Sequence, residues 1–115
     1  MTIDKSEVSI YTDGGCEPNP GVGGWAAILV HGRREKELSG GAQETTNNRM
    51  EMTAAIQALS SLKHHCVIHI YTDSQYLKNG ITQWMKNWKR NNWKTRSGPV
   101  KNKDLWLELD DLVQH

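Results

Sequence analysis

The tetrapeptide Ile-Tyr-Thr-Asp occurs twice in this chain, at residues 10–13 and again at residues 70–73. Each copy closes a β-branched and aromatic run, and each is followed by small or polar residues, Gly14-Gly15 in one case and Ser74 in the other. The pattern predicts two strands that end alike, each offering a carboxylate at its C-terminal tip. In open α/β sheets, ligands gather at the carboxyl ends of the strands. If the two strands are neighbours, Asp13 and Asp73 come close together. Paired carboxylates repel unless a proton or a cation is shared between them, and a hard divalent ion is the usual partner. The competing reading is that strands end in Asp because turns begin there. The repeat alone does not separate the two.

Elsewhere the pattern places elements around these strands. Residues 7–12 alternate Val8, Ile10 and Thr12 against Ser9 and Tyr11, as a half-buried strand does. Residues 13–21, rich in Gly and Pro, read as a loop. An apolar run over 24–30, a hairpin candidate at His31-Gly32-Arg33 and a returning segment at 35–39 complete three antiparallel strands. Thr45, Thr46, Asn47 and Asn48 supply N-cap chemistry for a helix to about residue 63, with Ala55, Ala58, Leu59 and Leu62 on its apolar stripe. Glu51 falls on the edge of that stripe, where an acid is either paired or functional. A strand at 67–72 follows, then a helix over 75–87 with a break marked by Gly80. An irregular basic protrusion comes next, containing Ser97-Gly98-Pro99. A last amphipathic helix uses Leu105, Trp106, Leu109, Leu112 and Val113. This order predicts an α/β fold, a mixed sheet with helices packed on it.

A chain of 115 residues forms one domain with a real core. It has no stretch long and apolar enough to span a membrane and no secretory h-region at its start. Cys16 and Cys66 cannot make a disulfide framework or a zinc site, so a reduced, cytoplasmic protein is expected. The net charge of +1 hides a segregation. Lys86, Lys89, Arg90, Lys94, Arg96, Lys101 and Lys103 lie between Trp84 and Lys103 with no acid among them, while the rest of the chain is acidic. Such a stretch points to a polyanionic partner. Trp84, Trp88 and Trp93 interleave with these charges as stacking residues do. Yet Trp84 and Trp88 also continue a helical stripe with Leu77 and Ile81, which places them in a core.

Asp13, Glu51 and Asp73 come from three different elements and have no matching cationic cluster. Three such carboxylates make a poor ion-pair network and a good magnesium cage, because magnesium takes oxygen ligands and keeps waters that leave room for a phosphate. Two ions about 4 Å apart can activate a water and stabilise a leaving oxygen in phosphodiester cleavage.

Several motifs carry a family resemblance. Residues 13–21 (Asp-Gly-Gly-Cys-Glu-Pro-Asn-Pro-Gly), 45–51 (Thr-Thr-Asn-Asn-Arg-Met-Glu), 72–76 (Thr-Asp-Ser-Gln-Tyr) and 80–88 (Gly-Ile-Thr-Gln-Trp-Met-Lys-Asn-Trp) resemble type 1 ribonuclease H of the bacterial kind. Residues 99–102 and 104–106 extend the match, in order and with compatible spacing. The resemblance implies a ribonuclease H-like mixed sheet, three antiparallel strands plus a parallel one, flanked by helices. It implies hydrolysis of the RNA strand of RNA/DNA hybrids to 5′-phosphate and 3′-hydroxyl ends, with two Mg²⁺ ions (Mn²⁺ substituting) held by Asp13, Glu51 and Asp73. It further implies that Cys16, Asn19, Asn47, Asn48 and Gln75 line the minor groove, where the 2′-OH marks the RNA strand. Thr46 and Asn102 would grip a DNA phosphate, Trp84 and Thr95 would line the DNA-strand channel, and Lys89 and Arg90 belong to a basic handle over about residues 84–103. Each has a plainer role open to it: Asn47 and Asn48 as caps, Asn19 as a turn residue, Cys16 as a small packed side chain. Glu44 departs from the pattern, since many relatives carry Arg there, and an acid beside a phosphate site weakens the grip.

In the resembled family a last strand and helix follow the helix that ends near His115, carrying a fourth carboxylate and a mobile His loop. The expectation is therefore a C-terminally shortened fold, either a fragment or a variant whose C-terminus is supplied otherwise. Its 67–72 strand would be left as an open edge. A monomer is expected, with that edge available for self-association. Three functions follow: a hybrid-directed ribonuclease, a hybrid-binding module with weak or no catalysis, or another nuclease or polynucleotidyl transferase on the same fold.

Overall fold

The computed structural model describes residues 7–62 and 67–114. Its sheet begins as a meander of β1 (Glu7–Cys16), β2 (Gly21–His31) and β3 (Arg34–Thr45), all antiparallel. The β2–β3 turn rests on Gly32, whose φ of +62° suits a residue without a Cβ. β4 (Val67–Tyr71) lies parallel to β1, giving the order β3-β2-β1-β4. In that register Ile10 faces Ile70 and Tyr11 faces Tyr71. The doubled tetrapeptide is thus one pair of adjacent strands running side by side.

Alternation decides which face is buried. Val8 and Ile10 of β1 and Ala27 and Leu29 of β2 turn inward under α1 (Asn47–Ser60), whose Met52, Ala55, Ile56 and Ala58 cover them. On the other face Tyr11, Val22, Val67 and Tyr71 are exposed. Thr46 caps α1, its Oγ1 accepting from the Arg49 N–H at 3.2 Å. That is the expected cap chemistry, and it satisfies one of the helix's orphan donors. The expected helix end near Lys63, and Cys66, lie outside the described residues.

After β4 the chain forms α2 (Gln75–Asn79), a π-helical turn (Gly80–Trp84) and α3 (Met85–Arg90). Gly80 therefore does not break the helix; it widens it by one turn. A Cβ there would lie 2.0 Å from the ring of Trp106, which is fully buried in α4 (Lys103–Gln114). Leu77 and Met85 are buried, and Ile81, Trp88 and Trp93 are partly buried against the core. The helical-stripe reading of these tryptophans prevails for Trp88.

Four sequence expectations need correction. Residues 13–16 are not loop: β1 continues to Cys16, with Asp13 opposite Ala26 and Cys16 opposite Gly23, because small residues on both strands let the hairpin close. The returning strand is likewise longer than 35–39 and runs to Thr45, where it leads directly into the capped helix. Val113, placed on the apolar stripe of the last helix, is 53% exposed, whereas Leu105, Trp106 and Leu109 are buried. The basic protrusion is more regular than expected, a short hairpin of β5 (Lys94–Thr95) and β6 (Gly98–Pro99). Among the described residues no helix is long and apolar enough to cross a membrane.

Candidate active site

Close backbone packing positions the acids. A Cβ on Gly14 would stand 2.6 Å from the Met50 carbonyl carbon and 2.7 Å from the Glu51 nitrogen. Glycine at that point lets the first turns of α1 lie directly on β1, with Glu51 over the strand that carries Asp13. The parallel β1–β4 register ends with Tyr11 opposite Tyr71, so that Asp13 and Asp73 each follow two residues later on the same pocket. All three acids line one open pocket of about 590 Å³, together with Gly14, Gly15, Cys16, Glu17, Asn47, Asn48, Ser74, Gln75 and Tyr76. No Lys, Arg or His is in that lining.

Glu51 is held by the protein rather than free in the pocket. Its Oε1 accepts from the Gly14 N–H, and its Oε2 accepts from Thr72 Oγ1 at 3.1 Å. Thr72, itself buried, accepts in turn from the Ser74 N–H at 3.1 Å. Burial pushes the Glu51 carboxyl above its ordinary value. The bonds from Thr72 and Gly14 draw it back, the charges of Asp13 and Asp73 raise it again, and the net direction is upward. Next to this network, Thr12 Oγ1 is buried without a hydrogen-bond partner.

A concave site of four acids with no cation in its lining suits a hard divalent ion, whose ligands are oxygens. Among the described residues no three His, Cys, Asp or Glu already converge at metal-holding distances. Both Glu51 oxygens are engaged by Gly14 and Thr72, and Asp13, Glu17 and Asp73 are the other acids of the lining.

Of the predicted substrate residues, the pocket gathers Cys16, Asn47, Asn48 and Gln75. Cys16 Sγ sits within hydrogen-bond reach of the Pro18 and Thr45 carbonyls, at 3.1 and 3.2 Å. The others lie outside that lining, several with internal partners. Asn19 Oδ1 accepts from the Asn47 N–H at 3.3 Å, and Thr46 caps α1. Asn102, at φ +59°, accepts from Arg49 Nη1 at 3.2 Å and donates to Tyr76 Oη at 3.1 Å. Thr95 Oγ1 donates to the Gly98 carbonyl at 2.9 Å within the β5–β6 hairpin. Trp84 packs edge-on against Tyr76. Lys89 pairs with Asp110 at 2.6 Å, and Arg90 is exposed at the end of α3.

Sequence reasoning gave no role to Arg49 or Tyr76. Arg49 forms a two-pronged pair with Asp104, at 3.0 and 2.8 Å, tying α1 to α4 and holding the Asp104 carboxyl below its usual range. Tyr76 Oη accepts from Asn102 and from Trp106 Nε1, the latter at 3.2 Å. Both residues sit inside the motifs already noted, but their partners are 25 to 55 residues away.

The family model "RNase H" matches residues 5–115. The chain belongs to the RNase H family. It is 62% identical to a ribonuclease H of Hydrogenovibrio crunogenus over 109 residues, covering 94% of this chain and 75% of the relative. It is 60% identical to ribonuclease HI of Neisseria meningitidis serogroup B over 107 residues, covering 92% and 74%. The fold of this chain is also similar to LC9-RNase H1, a type 1 RNase H with the type 2 active-site motif. There the TM-score is 0.83 and the identity 26%, over 98% of this chain and 60% of that one. LC11-RNase H1, solved in complex with an RNA/DNA hybrid, shares the fold with a TM-score of 0.71 at 23% identity, over 93% and 76%. The chain spans about three quarters of the length of the curated relatives it matches.

Proposed function

We propose that this chain hydrolyses the RNA strand of RNA/DNA hybrids, leaving 5′-phosphate and 3′-hydroxyl ends, with Mg²⁺ or Mn²⁺ held by Asp13, Glu51 and Asp73. The observation that carries this reading is one pocket where acids from β1, α1 and the end of β4 meet without a cation, beside the amides of Asn47, Asn48 and Gln75. When bound, the divalent ions would neutralise the acids and supply the charge that turns water into a nucleophile at neutral pH.

The chain's own residues do the rest. The Gly14 N–H and Thr72 hydroxyl fix the Glu51 carboxylate in orientation before any ligand arrives. Side-chain amides both donate and accept, so Asn47, Asn48 and Gln75 are suited to the 2′-OH that distinguishes RNA from DNA. Asn102 and Thr46 sit at the join of α1 and α4, where Arg49 holds the two elements together. The exposed cations of the α3 to β6 segment stand ready to neutralise backbone phosphates.

The test is cleavage of a labelled hybrid by the 115-residue chain, with each metal, beside an Asp13→Asn variant. RNA-strand cleavage that falls to background in the variant, with hybrid still bound, is the expected result. Binding without product under either metal would make the chain a recognition module instead. A preference for duplex DNA would assign it to another nuclease class.

A further inference from the structure

A side chain that can only donate stands at each end of a hydrogen-bond chain running through Asn102. At one end is Arg49, in the first turn of α1, and at the other is Trp106, in α4. Neither a guanidinium nor an indole N–H can accept. Arg49 Nη1 therefore claims an oxygen, Asn102 Oδ1 at 3.2 Å, which turns Asn102 Nδ2 towards Tyr76 Oη at 3.1 Å. Trp106 Nε1 donates to the same hydroxyl at 3.2 Å, and the tyrosine proton is left for the Lys101 carbonyl at 3.5 Å. A flipped Asn102 amide would set its nitrogen against the guanidinium, donor to donor. The amide thus has one orientation, on a backbone held at φ +59° immediately before α4.

We infer that Arg49 is a positioning residue: it occupies the acceptor sides of Thr46 and Asn102, so that both are left to donate to a backbone phosphate. This rests on the hybrid-directed reading above, in which Thr46 and Asn102 meet a phosphate of the DNA strand. A hydroxyl and a carboxamide can each donate or accept, whereas a phosphate oxygen takes donors. The backbone N–H of Arg49 fills the acceptor side of Thr46 Oγ1 at 3.2 Å and leaves the hydroxyl proton to give. The guanidinium does the same at Asn102 Oδ1, and Tyr76 takes one of the two Nδ2 hydrogens, so the other remains.

Arg49 does not act here as a bare charge. Its two-pronged pair with Asp104, at 3.0 and 2.8 Å, sets a carboxylate against the guanidinium. What the pair supplies is a planar fork in a fixed plane. Nη1 is shared between Asp104 and Asn102, so the carboxylate that neutralises the arginine also aims it.

Binding of hybrids whose DNA strand carries one neutral methylphosphonate, moved a position at a time, tests this on the Asp13→Asn chain. One position is expected to weaken binding by about tenfold, the effect of one hydrogen bond to a charged group. Asn102→Ala should remove most of that penalty. Arg49→Met keeps the backbone N–H that Thr46 accepts from, and it should also lower the penalty. Added to Asn102→Ala, it should weaken binding no further. Asp104→Asn gains net positive charge but loosens the fork, so the penalty should shrink there too. If Arg49→Met does not fold, Asp104→Asn carries the same decision. A penalty untouched by Arg49→Met would overturn the positioning role and leave Asn102 on the phosphate. So would a double variant weakened by the full effect of Arg49→Met, or a larger penalty in Asp104→Asn. No sensitive phosphate in the parent, or a full penalty in Asn102→Ala, would instead overturn the reading on which the inference rests.

Discussion

The carboxylate of Glu51 is half-buried between two other acids and bonded by the Gly14 amide and the Thr72 hydroxyl. The protein has placed a charge where charge is disfavoured. Its raised carboxyl means the folded state holds the proton more tightly than the unfolded chain does. Stability from this group is greatest below its ordinary value of 4.5 and falls as pH rises through the raised folded-state value. Glu51→Gln removes the ionisation and keeps an acceptor for the Gly14 N–H. In metal-free protein with chelator present, the variant should match the parent at low pH. It should be the more stable of the two above the ordinary glutamate range, and it should lose hybrid cleavage. Urea unfolding across that pH range measures this, and parallel stability curves for the two proteins would contradict the assignment. Much at this scale was legible in sequence. The repeated tetrapeptide marked Asp13 and Asp73, and the edge of a helical stripe marked Glu51. Tyr76 and Arg49 were not legible, because what defines them is a set of partners on α4 and the turn before it.

At the scale of elements, the join between the π-helical turn and α4 shows what a one-dimensional pattern leaves out. Gly80 reads as a breaker in sequence. In the fold it is a contact residue, because only a bare Cα admits the Trp106 ring so close to the helix backbone. No local pattern reports that a tryptophan 26 residues later will press on that turn. Gly80→Ala would force a methyl to within 2.0 Å of a fully buried ring. The loss expected from such overpacking is about 1–3 kcal/mol or more. Gly24→Ala, in β2, is the control for steric room, since the nearest atom to a Cβ there is 3.6 Å away. Denaturant midpoints at constant slope would measure both. A loss at Gly80→Ala no larger than that at Gly24→Ala would mean that the Trp106 contact does not keep glycine at residue 80, since helix propensity alone would favour alanine there. The strands teach a related lesson: β1 and β3 outran their apolar patterns because glycines and alanines paired across the hairpin, and small residues carry no alternation to read.

For the whole molecule, the segregation of charge found in the sequence persists in the fold, but its cations are not equivalent. Lys89 is paired with Asp110 at 2.6 Å and so ties α3 to α4. Lys94 and Arg96 belong to the β5–β6 hairpin region and are exposed. A cation that displaces counterions from a nucleic-acid backbone contributes to the salt dependence of binding, and removing one phosphate contact lowers the slope of log K against log salt by about 1. A lysine already neutralised by a carboxylate has less charge to offer a phosphate. Measured on the Asp13→Asn chain, so that substrate is not consumed, hybrid affinity should fall steeply with salt. Lys94→Ala and Arg96→Ala should each flatten that slope by about 1 while weakening binding at low salt. Lys89→Ala should change the slope much less and lower the unfolding midpoint instead, because it removes an inter-helix tie and leaves Asp110 without its cation. If Lys89→Ala flattens the slope as much as Arg96→Ala does, Lys89 leaves Asp110 for a phosphate when hybrid binds. The ion pair would then belong to the free protein alone, and the handle would reach the nucleic acid with one more positive charge than its resting geometry offers.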